Sequence, residues 1–186
     1  MRPIDDLQAG KAGEYLVCAD LILRGYIAFP SEQGLHYDVV VDRDGRLFKV
    51  QVKATRQPMA VTRRGNRTEK YFFSVRRCGK AGRKAYMVGD VDCFALVALD
   101  TRTIGYVPAE KAKTTMLFLP EGIRPLNDAT ETKDMMKAMH RAGQTCRAIA
   151  RQLALDHSYV WQVVTGKHER GFGLSYLSDW KIEDYV

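Results

Sequence analysis

Residues 36–55, HYDVVVDRDGRLFKVQVKAT, contain two β-type segments joined by a turn. Residues 39–41 and 47–52 are rich in β-branched and apolar side chains, which favour strands. Between them, Asp44-Gly45 is typical of a two-residue hairpin loop. This stretch therefore predicts a β-hairpin, and the rest of the chain can be interpreted around it.

Pairing about the Asp44-Gly45 loop gathers polar side chains at one end of the predicted hairpin. It puts Asp38 directly opposite Gln51, and Lys53 projects from the same face two residues further on. The apolar side chains of the second strand point to the other face. A solvated polar face is the ordinary alternative for such a pattern, and a one-residue slip in pairing would scatter the cluster.

The hairpin resembles the core of the PD-(D/E)XK nuclease superfamily, in which an Asp begins one strand and a (Glu/Gln)-x-Lys motif lies on the next. Asp38 matches the first position. Gln51-Val52-Lys53 matches the second in its less common Gln form. The resemblance implies an α/β fold with a restriction-endonuclease-like mixed β-sheet core and flanking helices.

The flanking segments extend this resemblance over roughly residues 10–110. The segment Gly13-Glu14-Tyr15-Leu16-Val17 lies in a predicted helix over 5–24, which Gly25 ends, and residues 92–97 lead to 104–108 in a second predicted hairpin. In that order they are similar to group I intron-associated homing endonucleases and, more distantly, to archaeal-type Holliday junction resolvases. Helical spacing predicts an apolar stripe made of Ala12, Leu16, Ala19 and Leu23. Val17 and Leu21 fall on the opposite side, so the helix is expected to be covered on more than one face.

The resemblance also implies a metal site and a role for each matching residue. Asp38 is expected to be the main carboxylate ligand, Gln51 to offer an amide oxygen and Val52 a backbone carbonyl. Glu14 is expected to ligate directly or through water, with an exposed helix acid as the alternative. Lys53 is expected to orient or deprotonate the attacking water or to stabilise the charge on the phosphate. Mg²⁺ is the expected ion, with Mn²⁺ as a substitute.

Composition favours a polyanionic partner and gives no sign of a membrane segment. The 186-residue chain carries a formal net charge of +7. No apolar run approaches the ~20 residues of a membrane span, and the N-terminal residues form no hydrophobic signal region. The four cysteines are widely spaced and are interpreted as reduced thiols, so we expect a cytoplasmic protein.

The positive charge is concentrated between residues 63 and 84, where Glu69 is the only acid. The basic residues of this segment are Arg63, Arg64, Arg67, Lys70, Arg76, Arg77, Lys80, Arg83 and Lys84. We interpret them as contacts to the DNA backbone, which are sequence-independent and salt-sensitive; a solvated loop around a strand at 71–75 is the alternative. We expect the chain between Thr55 and Tyr71 to be flexible.

Residues 146–164 resemble a helix-turn-helix, with Ser158 predicted to cap the second helix. That helix is expected to lie in the major groove. Its predicted DNA-contacting residues are His157, Ser158, Trp161, Gln162, Thr165, Lys167, His168 and Arg170. The alternative is a three-helix interaction module in which Trp161 is an anchor.

Three segments are therefore predicted: a nuclease-like domain at 1–125, a small all-α helix-turn-helix module at 133–170, and an apolar tail at 171–186 that packs back or makes an oligomer contact. The predicted function is a metal-dependent DNA endonuclease, similar to homing endonucleases, that acts on double-stranded or branched DNA as a dimer or tetramer. A Holliday junction resolvase or phage recombination nuclease is one alternative. A non-catalytic DNA-binding regulator on a degenerate nuclease fold is another.

Overall fold

The computed structural model describes residues 4–63, 66–79, 82–122, 130–153, 155–167 and 175–185. Within them, the side chains of residues 62, 63, 66, 67, 78, 79, 83, 130 and 131 are not described. The chain forms two compact units, Met1–Glu121 with Ser175–Val186, and Gly122–Leu174. The predicted domain boundaries stay predictions, because packing alone does not test which segment folds independently.

The first unit is a mixed α/β structure, which confirms the predicted fold class. It begins with helix α1, Asp6–Leu23. Its strands, in chain order, are β1 (Ile27–Pro30), β2 (Val39–Arg43), β3 (Arg46–Thr55), β4 (Met59–Arg63), β5 (Asn66–Ser74), β6 (Arg77–Gly79), β7 (Gly82–Lys84), β8 (Cys93–Ala98), β9 (Thr103–Pro108) and β10 (Thr115–Phe118).

The main sheet contains five strands in the order β1-β2-β3-β8-β9. The predicted hairpin is confirmed as β2 and β3, with Val39 paired to Val50. Asp44 (φ 53°) and Gly45 (φ 81°) both adopt the left-handed conformation that the two central residues of a tight two-residue hairpin turn favour. Strand β3 runs parallel to β8, and β8 forms the second predicted hairpin with β9.

Helix α1 confirms the predicted helix, but its buried side is the second predicted face and not the stripe. Asp5 caps its start by accepting a hydrogen bond from the Gln8 N–H at 2.8 Å. The buried residues include Ala9, Gly13, Val17 and Leu21, whereas Leu23 of the predicted stripe is 87 % exposed. The predicted stripe was therefore wrong as the core-facing side, whereas the predicted covering of Val17 and Leu21 is confirmed.

The reason for this choice of face is the close approach of α1 to strand β3. A Cβ added at Gly13 would lie 2.9 Å from the Cβ of Ala54 and 3.4 Å from a methyl group of Val52. Only a residue without a side chain permits that approach, so Gly13 determines which side of the helix meets the sheet. Glu14, the next residue, is consequently held at the edge of the contact.

Two glycines of α1 provide a matched test of this packing. We expect Gly13→Ala to lower the free energy of unfolding by about 1–3 kcal/mol, because the new methyl group overpacks the contact with Ala54. Gly10→Ala should raise it by about 0.5–1 kcal/mol, because that position faces open space within the same helix. Urea unfolding of both variants measures the difference; equal effects of the same sign would contradict the proposed role of Gly13.

Residues 56–74 contain more structure than the sequence predicted. The segment expected to be flexible forms β4 and the beginning of β5, and β5 lies between β4 and β10 in a three-stranded sheet. This sheet buries Tyr71, Phe73, Met116 and Phe118. The strands were missed because their apolar partners come from β10, more than forty residues later in the chain.

The C-terminal tail packs on the first unit. Leu119 donates its N–H to the Ser175 carbonyl at 3.0 Å, and Tyr106 donates its N–H to the Trp180 carbonyl at 2.9 Å. Ile182 is fully buried in the core of the main sheet. The apolar composition of the tail thus reflects burial within the same chain.

The second unit contains helices α2 (Thr130–Arg141), α3 (Cys146–Gln152) and α4 (His157–Val164). They share a small apolar core that includes Met136, Ile149 and Val160. Helix α2 begins at Thr130, three residues before the predicted start of the helical module at 133. The predicted cap of α4 was wrong: Asp156 rather than Ser158 caps it, accepting from the N–H groups of Ser158 and Tyr159. None of the helices described above has the length and apolarity needed to cross a bilayer.

Candidate active site

The polar ends of β2 and β3 meet as the hairpin predicts. The Asp38 N–H donates to the Val50 carbonyl at 2.9 Å, which continues the pairing beyond Val39 and brings Asp38 beside Gln51. The Asp38 Oδ2 atom accepts hydrogen bonds from the Val52 N–H at 2.9 Å and from the Gln51 side-chain amide. Asp38 is thereby fixed by both residues that precede Lys53.

Gln51 is buried, and its amide connects two oxygen atoms of the site. Its Nε2 donates to Asp38 Oδ2 and, at 3.2 Å, to the backbone carbonyl of Val52. These two acceptors would otherwise face each other without a positively polarised group between them. The amide therefore stabilises the two facing oxygen atoms, and its nitrogen, not its oxygen, is directed at them.

Helix α1 adds a second carboxylate to this cluster. Glu14 is half-buried, and its Oε2 atom lies 2.6 Å from the Lys11 Nζ. Burial raises the pKa of Asp38 above its ordinary value, and the negative charge of Glu14 raises it further, against the opposing effects of the Val52 N–H, Lys53 and Lys11. The two carboxylates are thus close enough to repel each other.

Lys53 lies beside these groups and is placed by aromatic packing. Its Nζ is 5.5 Å from the centre of the Tyr86 ring. That ring packs edge-to-face against Phe94 at 5.0 Å between ring centres, and Phe94, buried on β8, pairs with Gln51 of β3. Tyr86 therefore couples the position of Lys53 to the sheet itself.

Two members of this cluster, Lys11 and Tyr86, were missed by the sequence analysis. Lys11 could have been identified, because it lies three residues before Glu14 on a helix, a spacing that brings opposite charges together. No sequence pattern indicated Tyr86, because it lies between β7 and β8 and reaches Lys53 only through the tertiary fold.

The predicted basic cluster is distributed over strands β4 to β7. Lys70, Arg76 and Lys84 are at least partly exposed, and Arg77 forms an ion pair with Asp90 at 3.2 Å. Arg63, Arg67 and Arg83 lie on strands, with side chains outside the described part of the structure. Arg64 and Lys80 lie outside the described residues altogether.

Most of the predicted DNA-contacting residues of the helical unit lie on or just after α4. His157, Ser158, Trp161, Thr165 and Lys167 are exposed, and Gln162 is half-buried. The Lys167 Nζ lies 4.8 Å from the Trp161 ring centre, and the Thr165 hydroxyl donates to the Trp161 carbonyl at 2.7 Å. His168 and Arg170 lie outside the described residues.

The donor set limits which cofactors the cluster can hold. Across the described ranges, no group of three or more His, Cys, Asp and Glu side chains has the arrangement of a metal site. In the cluster around Asp38, the Gln51 side chain turns its amide nitrogen toward its neighbours, so a half-turn that exchanges its nitrogen and oxygen is needed before it can join the two carboxylates and the backbone carbonyl. These are oxygen donors suited to a hard divalent ion, and a positive charge there would offset the repulsion between Asp38 and Glu14.

Comparison with known proteins gives a family match and a structural similarity. The sequence model of the PD-(D/E)XK endonuclease family matches residues 4–122. The solved structure of a bacterial homing endonuclease, I-Ssp6803I, is similar to this chain with a TM-score of 0.51 and 16 % sequence identity. The similarity covers 76 % of this chain and 100 % of that one, and at such low identity it indicates a shared fold. No curated protein sequence matches the chain.

Proposed function

Because the chain belongs to the PD-(D/E)XK endonuclease family, we propose that it is a metal-dependent DNA endonuclease that hydrolyses phosphodiester bonds at a site built on Asp38. The observation that carries the proposal is the joint arrangement of Asp38, Gln51 and Val52, with Glu14 beside them. Nucleases of this family generally use divalent metal ions. We propose Mg²⁺ for this chain, with Mn²⁺ as a substitute.

Asp38 and Glu14 would hold the ion through carboxylate oxygens, and Val52 through its backbone carbonyl. Gln51, in place of the Glu found in many relatives, would contribute its amide oxygen once its amide turns over from the orientation in which the nitrogen faces Asp38. The change from Glu to Gln removes one negative charge from the site. We therefore expect weak metal affinity in the free protein and tighter binding once a DNA phosphate adds its own charge. When bound, the ion supplies an acidified water and neutralises charge on the phosphate.

The protein's own residues have separate tasks in this proposal. The Lys53 ammonium lies beside the carboxylates, where it can hydrogen-bond to the attacking water or to a phosphate oxygen and stabilise negative charge that develops during the reaction. Tyr86 holds the lysine chain against the sheet. The exposed basic residues, including Arg76 and Lys84, would contact the DNA backbone.

Lys11 should compete with a divalent ion for Glu14. We expect Lys11→Met to raise the Mn²⁺ affinity of the DNA-free protein by about threefold to tenfold, because the ammonium bonded to Glu14 is removed. Isothermal titration calorimetry measures this affinity, and Lys11→Arg, which keeps the charge, should leave it nearly unchanged. Weaker binding by Lys11→Met would instead mean that Lys11 positions Glu14 for the ion.

The proposed activity can be tested with supercoiled plasmid and synthetic four-way junctions, each incubated with Mg²⁺, Mn²⁺ or EDTA. Cutting that needs the ion and is lost in Asp38→Asn would support the nuclease. Preference for the four-way junction would favour junction resolution over a homing role. Binding without cutting on either DNA and with either ion would favour a non-catalytic regulator.

We propose that the helical unit selects the target through α4. The exposed Trp161 ring and the half-buried Gln162 neighbour one another on this helix, and a helix of this kind reads base edges in the major groove. One chain has a single proposed site and a duplex has two strands, so we also propose that the active form is a dimer or tetramer.

The contribution of α4 can be separated from catalysis. We expect Trp161→Ala with Gln162→Ala to lower the preference for target over random DNA by about tenfold or more, because each lost base contact removes discrimination. The unfolding of the first unit should not change. Target sites are first selected from a random DNA library, and competition binding then measures the preference for target over random DNA. Unchanged discrimination in the double variant would exclude α4 as the element that recognises the target sequence.

A further inference from the structure

The turn between β7 and β8, here called the apolar turn (residues 86–90), presents apolar side chains to solvent. Met87 is 74 % exposed and Val88 is fully exposed, in direct succession. Neither belongs to the described apolar cores of the protein. Adjacent exposed apolar residues at the tip of a turn are a common feature of surfaces that bind a partner.

Hydrogen bonds within the turn keep this tip in one conformation. The Met87 N–H donates to the Asp90 Oδ2 at 2.9 Å, and the Asp90 N–H donates back to the Met87 carbonyl at 3.1 Å. Gly89 between them has a φ of 87°, which a residue with a side chain rarely adopts. The tip is therefore preorganised, which lowers the entropic cost of binding.

Three neighbouring segments fix the turn from outside. The carboxylate of Asp90 lies 3.0 Å from the His36 Nδ1 and 3.2 Å from an Arg77 guanidinium nitrogen. The Lys49 ammonium donates to the Gly89 carbonyl. Two of these anchoring groups, Arg77 and Lys49, are cationic, and cations beside the apolar tip suit a polyanion.

The turn lies directly beside the proposed active site. Tyr86, its first residue, packs next to Lys53. Val88 follows Tyr86 by two residues, and two residues of chain span at most about 7 Å. The tip therefore lies within roughly the length of two base-pair steps, 3.4 Å each, from Tyr86. A duplex whose phosphate lies at Lys53 would therefore pass close to Met87 and Val88.

We propose that Met87 and Val88 form a wedge that enters the minor groove of duplex DNA next to the cleaved phosphate. Apolar side chains inserted there pack against base edges and open a base step, which bends the duplex. Flexible pyrimidine–purine steps resist this least, so the wedge would favour such steps near the cut. This inference rests on the proposed nuclease function and specifies how that site holds its substrate.

The test compares the wild type with Met87→Ser/Val88→Ser in binding to a fluorescein-labelled random-sequence duplex, with Ca²⁺ present to prevent cutting. The double variant should bind about tenfold more weakly, because apolar contact with the groove is lost. The slope of log affinity against log salt should not change, because no phosphate contact is removed. Netropsin, which fills the minor groove, should weaken the wild type much more than the variant.

Two controls distinguish the wedge from general surface effects. Ile22→Ser/Leu23→Ser removes a second pair of exposed apolar neighbours, 55 % and 87 % exposed on α1, and should leave DNA affinity unchanged. Lys84→Ala should lower affinity with a salt slope smaller by about one, as expected for a phosphate contact. Because all these side chains are exposed, thermal unfolding should show intact folding in each variant.

The outcomes separate the wedge from the nuclease. Equal affinity of wild type and Met87→Ser/Val88→Ser, in a protein that cuts plasmid, would overturn the wedge and leave the nuclease standing. Loss of binding to anionic phospholipid vesicles without loss of DNA binding would overturn it in favour of a membrane contact. If the wild type neither binds nor cuts duplex DNA, both proposals fail.

Discussion

Asp38→Asn is expected to lower DNA cleavage by at least about a thousandfold while making the folded protein more stable rather than less. The loss of activity follows from removing the main charged ligand of the proposed metal site, since such an ion supplies both the nucleophile and charge neutralisation. The hydrogen bonds survive, because the asparagine carbonyl can still accept from the Val52 N–H and the Gln51 amide.

The gain in stability follows from the direction of the pKa shift. Burial, with Glu14 adding to it, raises the pKa of Asp38 in the folded state. A raised folded-state pKa stabilises the protein fully below the unfolded value of about 3.9, and this contribution is lost as the pH rises through the folded value. At neutral pH the wild type therefore holds an unfavourable charge that Asp38→Asn lacks.

Thermal unfolding in EDTA at a series of pH values measures this effect. The melting temperature of Asp38→Asn should exceed that of the wild type at neutral pH, and the difference should shrink as the pH falls toward about 4. Asp42→Asn is the matched control, because Asp42 lies on β2, the strand that directly follows Asp38, and accepts from the Gly45 N–H outside the site. A lower melting temperature for Asp38→Asn than for the wild type at neutral pH would contradict the unfavourable charge of Asp38 beside Glu14.

Lys53→Met is expected to lower cleavage by about a hundredfold to a thousandfold and to change DNA binding by no more than about threefold. The ammonium stabilises charge that appears during the reaction, which affects the rate much more than ground-state affinity. At most one phosphate contact is lost, so the loss of affinity should be small. The methionine chain keeps the apolar contact with the Tyr86 ring.

Cleavage of plasmid and anisotropy of labelled duplex, measured on the same preparations, separate the two effects. Lys111→Met is the matched control, because the Lys111 Nζ lies 5.2 Å from the Tyr185 ring in a similar lysine–tyrosine contact away from the hairpin. Lys53→Arg restores the charge but not the compact ammonium, and should recover binding more fully than cleavage. Equal loss of binding and cleavage in Lys53→Met would show that Lys53 is only a DNA contact or a structural residue.

The sequence predicted the hairpin closely because its determinants are local. Asp44-Gly45 sets the turn, and the alternation of apolar and polar residues sets which side chains share a face. The pairing of Asp38 with Gln51, separated by only thirteen residues, follows from those two facts alone. Helix α1 was likewise predictable in extent, since its cap at Asp5 and its stop at Gly25 are local signals.

Contacts between distant segments were decided by the tertiary structure. The sequence did not determine the buried face of α1, because the Gly13 contact with Ala54 depends on how closely helix and sheet can pack. Tyr86 joins Lys53 only through its packing on Phe94, and strand β4 exists because β5 and β10 bury apolar residues beside it. By itself the sequence determined the hairpin and the reactive groups on it, because turn chemistry and strand alternation act over short spans. The fold alone decided which helix face and which aromatic ring surround them, because those depend on shape complementarity between segments far apart in the chain.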